Sequence, residues 1–193
     1  MKFLLFLIPF CAFCTSTDIS MNGIKINDDK AVLKDVKLKL LADEGDVIKY
    51  RTENKNEFTV TLENDKVVFM ENDWLQNPDS PEPLFSNFKF GQTTLKEIRK
   101  LFGTSGFRYD ARESVSTEND AITFNCFEFD SPNNEVLVTI TKVSLTAPDV
   151  TDANLADNLK LDGIIIADEK YLDEIWGKKK NYDINYKKIP NTN

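Results

Sequence analysis

Two stretches far apart in the chain carry one pattern, and it constrains the fold more than any other feature. "FKFGQTTLKEIRKLFG", residues 88–103, reads as a short apolar strand, a polar turn, a compact helix and a stop. "IKINDDKAVLKDVKLKLL", residues 24–41, presents the same order. Ile24 and Phe88, like Ile26 and Phe90, are 64 positions apart, while Leu33 and Leu95, like Val36 and Ile98, are 62 apart. The two-residue slip falls in the polar turn, where a change of length costs little. Three runs of alternating apolar residues follow each predicted helix: "DVIKYRT", "EFTVTLE" and "KVVFME" in the first unit, "FRYDAR", "AITFNCFEF" and "EVLVTITKV" in the second. Period-two alternation of this kind marks strands with one buried face. Between the units, "WLQNPDSPEPLF" places Pro78, Pro81 and Pro83 among polar residues. Neither a helix interior nor an inner strand tolerates such a run.

The expected fold is therefore α+β: two similar units, each a short strand and helix followed by a three-stranded antiparallel sheet, with a C-terminal strand-helix segment. The boundaries are a signal peptide over 1–14, a first repeat unit over 20–74, a Pro-rich linker over 75–87, a second repeat unit over 88–145, and a C-terminal capping segment and tail over 146–193. In the first predicted helix Asp28 or Asp29 is the cap, and Val32, Leu33, Val36 and Leu40 form the buried stripe. In the second, Thr94 and Glu97 form a capping box, Leu95, Ile98, Leu101 and Phe102 face inward, and Gly103 suits a left-handed stop. "LKLDGIIIADEKYLDEIWGKKK" reads as a further strand and helix, with Asp168 as cap and Leu172, Ile175 and Trp176 buried. An extended or frayed tail follows, and the segment is expected to cover an open edge or face of the sheet.

The N-terminus assigns a compartment. "MKFLLFLIPFCAFCTST" has one positive charge at Lys2, an apolar run over residues 3–13 and then small polar residues. That is the layout of a secretory signal peptide, too short for a spanning helix. Phe10 and Phe13 precede Cys11 and Cys14, where a lipoprotein site needs a small residue, which argues for plain cleavage over a lipid anchor. The product is exported, to the periplasm or the medium. Cleavage leaves Cys126 as the one cysteine, unable to form an internal disulfide; a small buried hydrophobe, a dimeric disulfide and a reactive thiol are the readings open to it. The net charge of −8 repels phosphate backbones and anionic lipid, so nucleic acid and membrane surfaces are poor partners.

Histidine is absent, which removes histidine-based nucleophile activation and every histidine-containing metal site. No glycine-rich phosphate cradle occurs, and no cofactor or metal is implied. Carboxylates remain. Asp110 and Glu113 are candidates for an acid-base pair, set against a solvated acidic loop. "DVTDANLADN", residues 149–158, offers oxygen ligands for Ca²⁺, set against helix capping, because the EF-hand rhythm is missing. For partner binding the candidates are Trp74, Phe107, Arg108 and Tyr109, residue types that dominate interface hot spots, with core packing as the competing role for the aromatics.

Gly91, Thr93, Ile98, Leu101, Phe102 and Gly103 match a short "G-x-[TS]…V…LG" pattern ahead of a sheet. In this the chain resembles the tandem-repeat fold of the beta-lactamase inhibitor proteins and the SmpA/OmlA outer-membrane assembly lipoproteins, best over 88–142 and more weakly over 24–70. The resemblance implies paired α+β units whose sheet offers a concave face to a protein. The expected function is an exported, non-catalytic binding protein recognising another protein in the envelope or outside the cell. The alternatives are a secreted carboxylate-dependent hydrolase and an acidic immunity or inhibitor protein directed at a basic enzyme.

Overall fold

The computed structural model describes residues 19–85 and 88–190, so the expected leader over 1–14 lies outside the described residues. A 3-10 turn, Lys30–Asp35, leads into four strands: β1 (Lys39–Asp43), β2 (Val47–Arg51), β3 (Glu57–Glu63) and β4 (Lys66–Asp73). Helix α1 (Leu95–Phe102) then precedes β5 (Phe107–Tyr109), β6 (Ser114–Ser116), β7 (Asp120–Asp130) and β8 (Glu135–Ser144). The chain continues through α2 (Leu155–Asn158), β9 (Lys160–Asp168), α3 (Glu169–Trp176), β10 (Lys180–Tyr182) and β11 (Ile189–Pro190).

These strands build one sheet in the order β1-β2-β3-β4-β9-β8-β7-β5-β10, with β6 and β11 each added to β7. Pairing is antiparallel throughout except for β11, which runs parallel to β7. This topology corrects the expectation of two similar repeat units, and with it the resemblance to the tandem-repeat inhibitor and assembly-lipoprotein fold. Strand β9 lies between β4 and β8, pairing Asp73 with Gly163 on one side and Ile140 with Gly163 on the other. The C-terminal segment thus supplies the central strand that fuses both halves. "GIIIA" has the signature of such a strand: a continuous apolar run, with Gly163 and all four following residues buried because both faces are covered.

The opening of the first supposed unit differs for a local reason. Asp29 makes no side-chain capping bond, and a 3-10 turn forms where an α-helix was expected. "VKLKL" also alternates with period two, and Leu40 joins β1. Ile24 makes only an isolated bridge to Met21, and no strand forms over residues 88–90. In contrast, α1 forms with the ends that were read: Thr94 and Glu97 make the reciprocal capping box and Gly103 ends the helix at φ 61°, while Leu95, Ile98 and Phe102 face inward and Leu101, expected with them, is 63% exposed.

Each face of the sheet carries its own core. On one, Phe58, Val60, Met70, Leu137, Ile164 and Ile166 meet residues brought by the N-terminal segment, the proline-rich stretch and α1, including Ile26, Phe85, Phe90 and Ile98. On the other, α3 lays Leu172 and Trp176 over Phe107, Tyr109, Cys126, Val138 and Ile165. Of the extended or frayed tail expected, the described residues up to 190 take the extended form and are tied down. Strand β10 pairs with β5, Lys187 N donates to Thr104 Oγ1, and Ile189 is buried beside Phe129 on β7. Among the described residues no helix is long and apolar enough to cross a membrane.

Candidate functional site

A row of carboxylates crosses the α3-bearing face of the sheet, away from α3. Glu71 and Asp73 alternate on β4 with the core residues Met70 and Asn72, so both side chains project to this face. Glu57 on β3 stands directly opposite Asp73. Asp162 arrives by a different device. The β8–β9 register slips between Ile140 and Thr141, which pair with Gly163 and Leu161, leaving Asp162 as the extra residue of a bulge. A bulge redirects its extra side chain, and here it adds a fourth acid to the row. Trp74 N fixes the bulge by donating to the Asp162 carbonyl at 3.0 Å. Gly163 has no side chain at a point where a Cβ would stand 3.1 Å from Asp73 Oδ1.

Like charges opposed across strands destabilise one another, and half-burial removes the water that would screen them. Burial, then the Asp73 charge, pushes Glu71 up to about 7 against the pull of Arg112. Burial, then Asp162 and Glu57, pushes Asp73 up to about 6. Asp162 is also raised, by burial first, with Lys142 opposing and Asp120 adding to it. Basic groups stand at the ends of the row: Arg51 on Glu57 at 3.0 Å, and Lys142 on Asp120 at 3.0 Å. Two of the acids therefore titrate near neutrality, and the arrangement stores mutual repulsion that an incoming cation relieves. Among the described residues no group of three or more metal-ligating side chains converges.

The residues singled out from sequence are dispersed. Trp74 faces the opposite side of the sheet, stacked on Phe90 with ring centroids 6.3 Å apart and lying against Gly91. Phe107 and Tyr109 are 1% and 0% exposed beneath α3, where Tyr109 donates its hydroxyl to Asp173 at 2.9 Å. Arg108 points away from both, as the alternation requires, and pairs with Glu113 and Asp183. Of the four, Trp74 and Arg108 alone retain part of their surface. Asp110 and Glu113 are each paired with a cation: Lys179, joined by the Asn181 amide, bonds Asp110 and draws its pKa down, and Glu113 takes Arg108. Around residues 149–158, Thr151 and Asn154 form a capping box. The carboxylate row escaped the sequence reading, although "FMENDW" carried half of it: Glu71 and Asp73 are two apart within a strand and so share a face.

A second surface lies at the β1 edge. Leu33, Val36, Leu38, Leu40, Ile48 and Tyr50 line a groove of about 700 Å³, rimmed by charged residues. Leu40 and Leu41 are 54% and 41% exposed beside it.

No family model and no curated protein matches the chain. Solved structures similar to it include a cysteine-rich secretory protein from Staphylococcus aureus subsp. aureus Mu50, at 11% identity and TM-score 0.43, covering 89% of this chain and 53% of that one. Another is an extracellular protein containing an SCP domain from Bacillus anthracis str. Ames, at 11% identity and TM-score 0.42, covering 84% and 50%. The chain thus spans about half the length of each.

Proposed function

We propose that this chain is an exported, non-catalytic binding protein whose carboxylate row receives lysine or arginine side chains of a basic protein partner. Export rests on the leader-like sequence over 1–14. The observation that carries the binding reading is the alignment of Glu57, Glu71, Asp73 and Asp162 along one sheet face from three strands, with Glu71, Asp73 and Asp162 each raised from its ordinary pKa. A cationic side chain set among them restores the ionised forms and relieves the repulsion, which converts a cost in the free protein into affinity. The net charge of −8 adds long-range steering toward the same partners.

The same raised acids support a second reading, the carboxylate-dependent hydrolase. That mechanism places two carboxyl groups on opposite sides of a scissile bond in an enclosing site. The row instead spreads along one sheet face, across β3, β4 and β9. The discriminating experiment uses the mature chain as bait on envelope and secreted fractions of the producing cell, beside the variant E71Q/D73N/D162N. Wild type is expected to retain proteins of net positive charge that leave with raised salt, and the variant to retain none of them. Capture of the same proteins by both baits removes the row as the binding surface.

A further inference from the structure

An unpaired strand edge invites another strand unless something deters it, and edges are commonly blunted by bulges and lysines. Strand β1 is one end of the sheet, with β2 as its ladder partner. It carries a bulge between Leu40 and Ala42 and begins at Lys39, with Lys37 two residues ahead of it. Those features deter an arbitrary strand, yet they are combined with Leu40 and Leu41, which are 54% and 41% exposed. Two adjacent bare leucines on an edge, beside an apolar groove, are the opposite of a deterrent.

Charge order resolves the contradiction. Entering β1 the chain is basic, with Lys34, Lys37 and Lys39; leaving it the chain is acidic, with Asp43, Glu44 and Asp46. All six side chains are exposed. Among the described residues Lys37, Lys39, Glu44 and Asp46 enter no ion pair, whereas neighbouring Lys66 and Asp29 do pair, at 2.8 Å. An edge that is positive at one end and negative at the other is complementary to itself when turned end for end. An antiparallel copy sets the basic entry of each strand against the acidic exit of the other, with the leucines and Ala42 at the centre. This is the isologous contact that a two-fold axis through the sheet requires, in which a patch meets its own copy.

We infer that a second copy of this chain docks on β1, forming a symmetric dimer by antiparallel strand addition with Leu40 and Leu41 of both copies buried at its centre. The groove lined by Leu33, Val36, Leu38 and Tyr50 opens beside this contact and widens the apolar area available to it. The carboxylate row on β3, β4 and β9 stays free in each copy, so the dimer presents two such rows.

Charge reversal tests the inference, read by sedimentation velocity on the mature chain and on two variants, K37E/K39E and E44K/D46K. Among the described residues these exposed side chains enter no hydrogen bond or ion pair, and circular dichroism with thermal unfolding checks that each variant is folded. Wild type is expected to sediment as a dimer at high concentration and to dissociate on dilution. Each variant alone sets like charges together at both ends and weakens dimerisation about tenfold or more. Mixed in equal amounts, the two variants regain complementarity and form the heterodimer. A wild-type chain that stays monomeric throughout overturns the inference, as does a mixture that associates no better than its parts. A dimer indifferent to both reversals overturns it as well.

Discussion

Lys180 holds a nearly buried charge between two carboxylates and two aromatic rings, and replacing it with methionine isolates its contribution. Its side chain is 7% exposed, pairs with Glu169, lies 3.1 Å from Asp173, and sits over the Phe107 and Tyr109 rings at 5.4 and 5.2 Å. It joins β10 to α3 across the core beneath that helix. K180M keeps the aliphatic volume and leaves two carboxylates facing one another. Breaking a fully buried pair costs roughly 3–5 kcal/mol. Glu169 and Asp173 remain 28% and 23% exposed, so water recovers part of that loss and the expected cost is about 2–3 kcal/mol. For a chain of this size, that lowers Tm by about 4–12 °C. Thermal unfolding followed by near-ultraviolet circular dichroism reads it, because Trp176 packs on Tyr109 and Phe124 in the same core. The pH dependence supplies a second readout. Burial alone would lower the Lys180 pKa, but bonds and charges from Glu169 and Asp173 outweigh it and raise it. A lysine raised on folding contributes stability in full below its unfolded value, about 10.4, and loses it as pH climbs through the folded one. Wild type should weaken along that rise and K180M should lack this component. A variant within about 0.5 kcal/mol of wild type, with the same alkaline slope, refutes the reasoning.

Acidification should stabilise the wild-type fold between neutrality and the ordinary carboxylate range. Glu71 and Asp73 bind protons more tightly when folded, so stability is lost as pH rises through about 6 to 7. E71Q should raise stability at pH 7 by about 1–2 kcal/mol and flatten that profile, as measured by urea unfolding across pH. G106A should destabilise by about 2 kcal/mol or more, because Gly106 has φ +76° and a Cβ there collides with the Cys126 carbonyl oxygen. T94A removes the half of the α1 capping box in which Thr94 Oγ1 accepts from Glu97 N, leaves the backbone N–H at position 94 to donate to Glu97, and should cost about 1 kcal/mol in the same assay. Cys126 is fully buried and burial drives its thiol pKa up, so alkylation in native buffer should be slow and limited by opening of the sheet, rising to the rate of a free thiol in denaturant.

What the sequence disclosed follows the range over which each signal acts. Capping is local, so Thr94, Glu97 and Gly103 announced α1 with its ends. Strand alternation is nearly as local, and "EFTVTLE" and "KVVFME" formed β3 and β4 as read. Which strands lie side by side is not local at all. The two halves carry similar periodicities because each contains antiparallel strands with one face on the larger core, and that requirement alone writes matching patterns without duplication. The decisive mark was the unbroken apolar run Ile164, Ile165, Ile166 and Ala167, which asks for cover on both faces and hence for a central position. A segment read as a cap at the margin carried the composition of the middle.

The carboxylate row shows the same distance limit acting on chemistry. Glu71 and Asp73 could be grouped from spacing, but Glu57 joins them only through the β3–β4 register and Asp162 only through the bulge opposite Ile140 and Thr141. Without that extra residue the local register would carry Asp162 to the other face, among apolar side chains. A buried carboxylate there would cost more than the repulsion it now meets beside Asp73. The bulge is therefore the least costly way to keep an acid at the centre of the sheet, and a fold under no demand for that acid would place a valine or threonine in the strand and need no irregularity. Substituting D162V tests this directly. If the row is a surface for a cationic partner, the variant keeps the fold, relieves Asp73 so that its pKa falls toward the usual carboxylate range, gains stability at neutral pH, and loses the basic proteins that wild type retains. If Asp162 serves the bulge itself, the variant loses stability instead, and the acid belongs to the architecture of the sheet rather than to recognition.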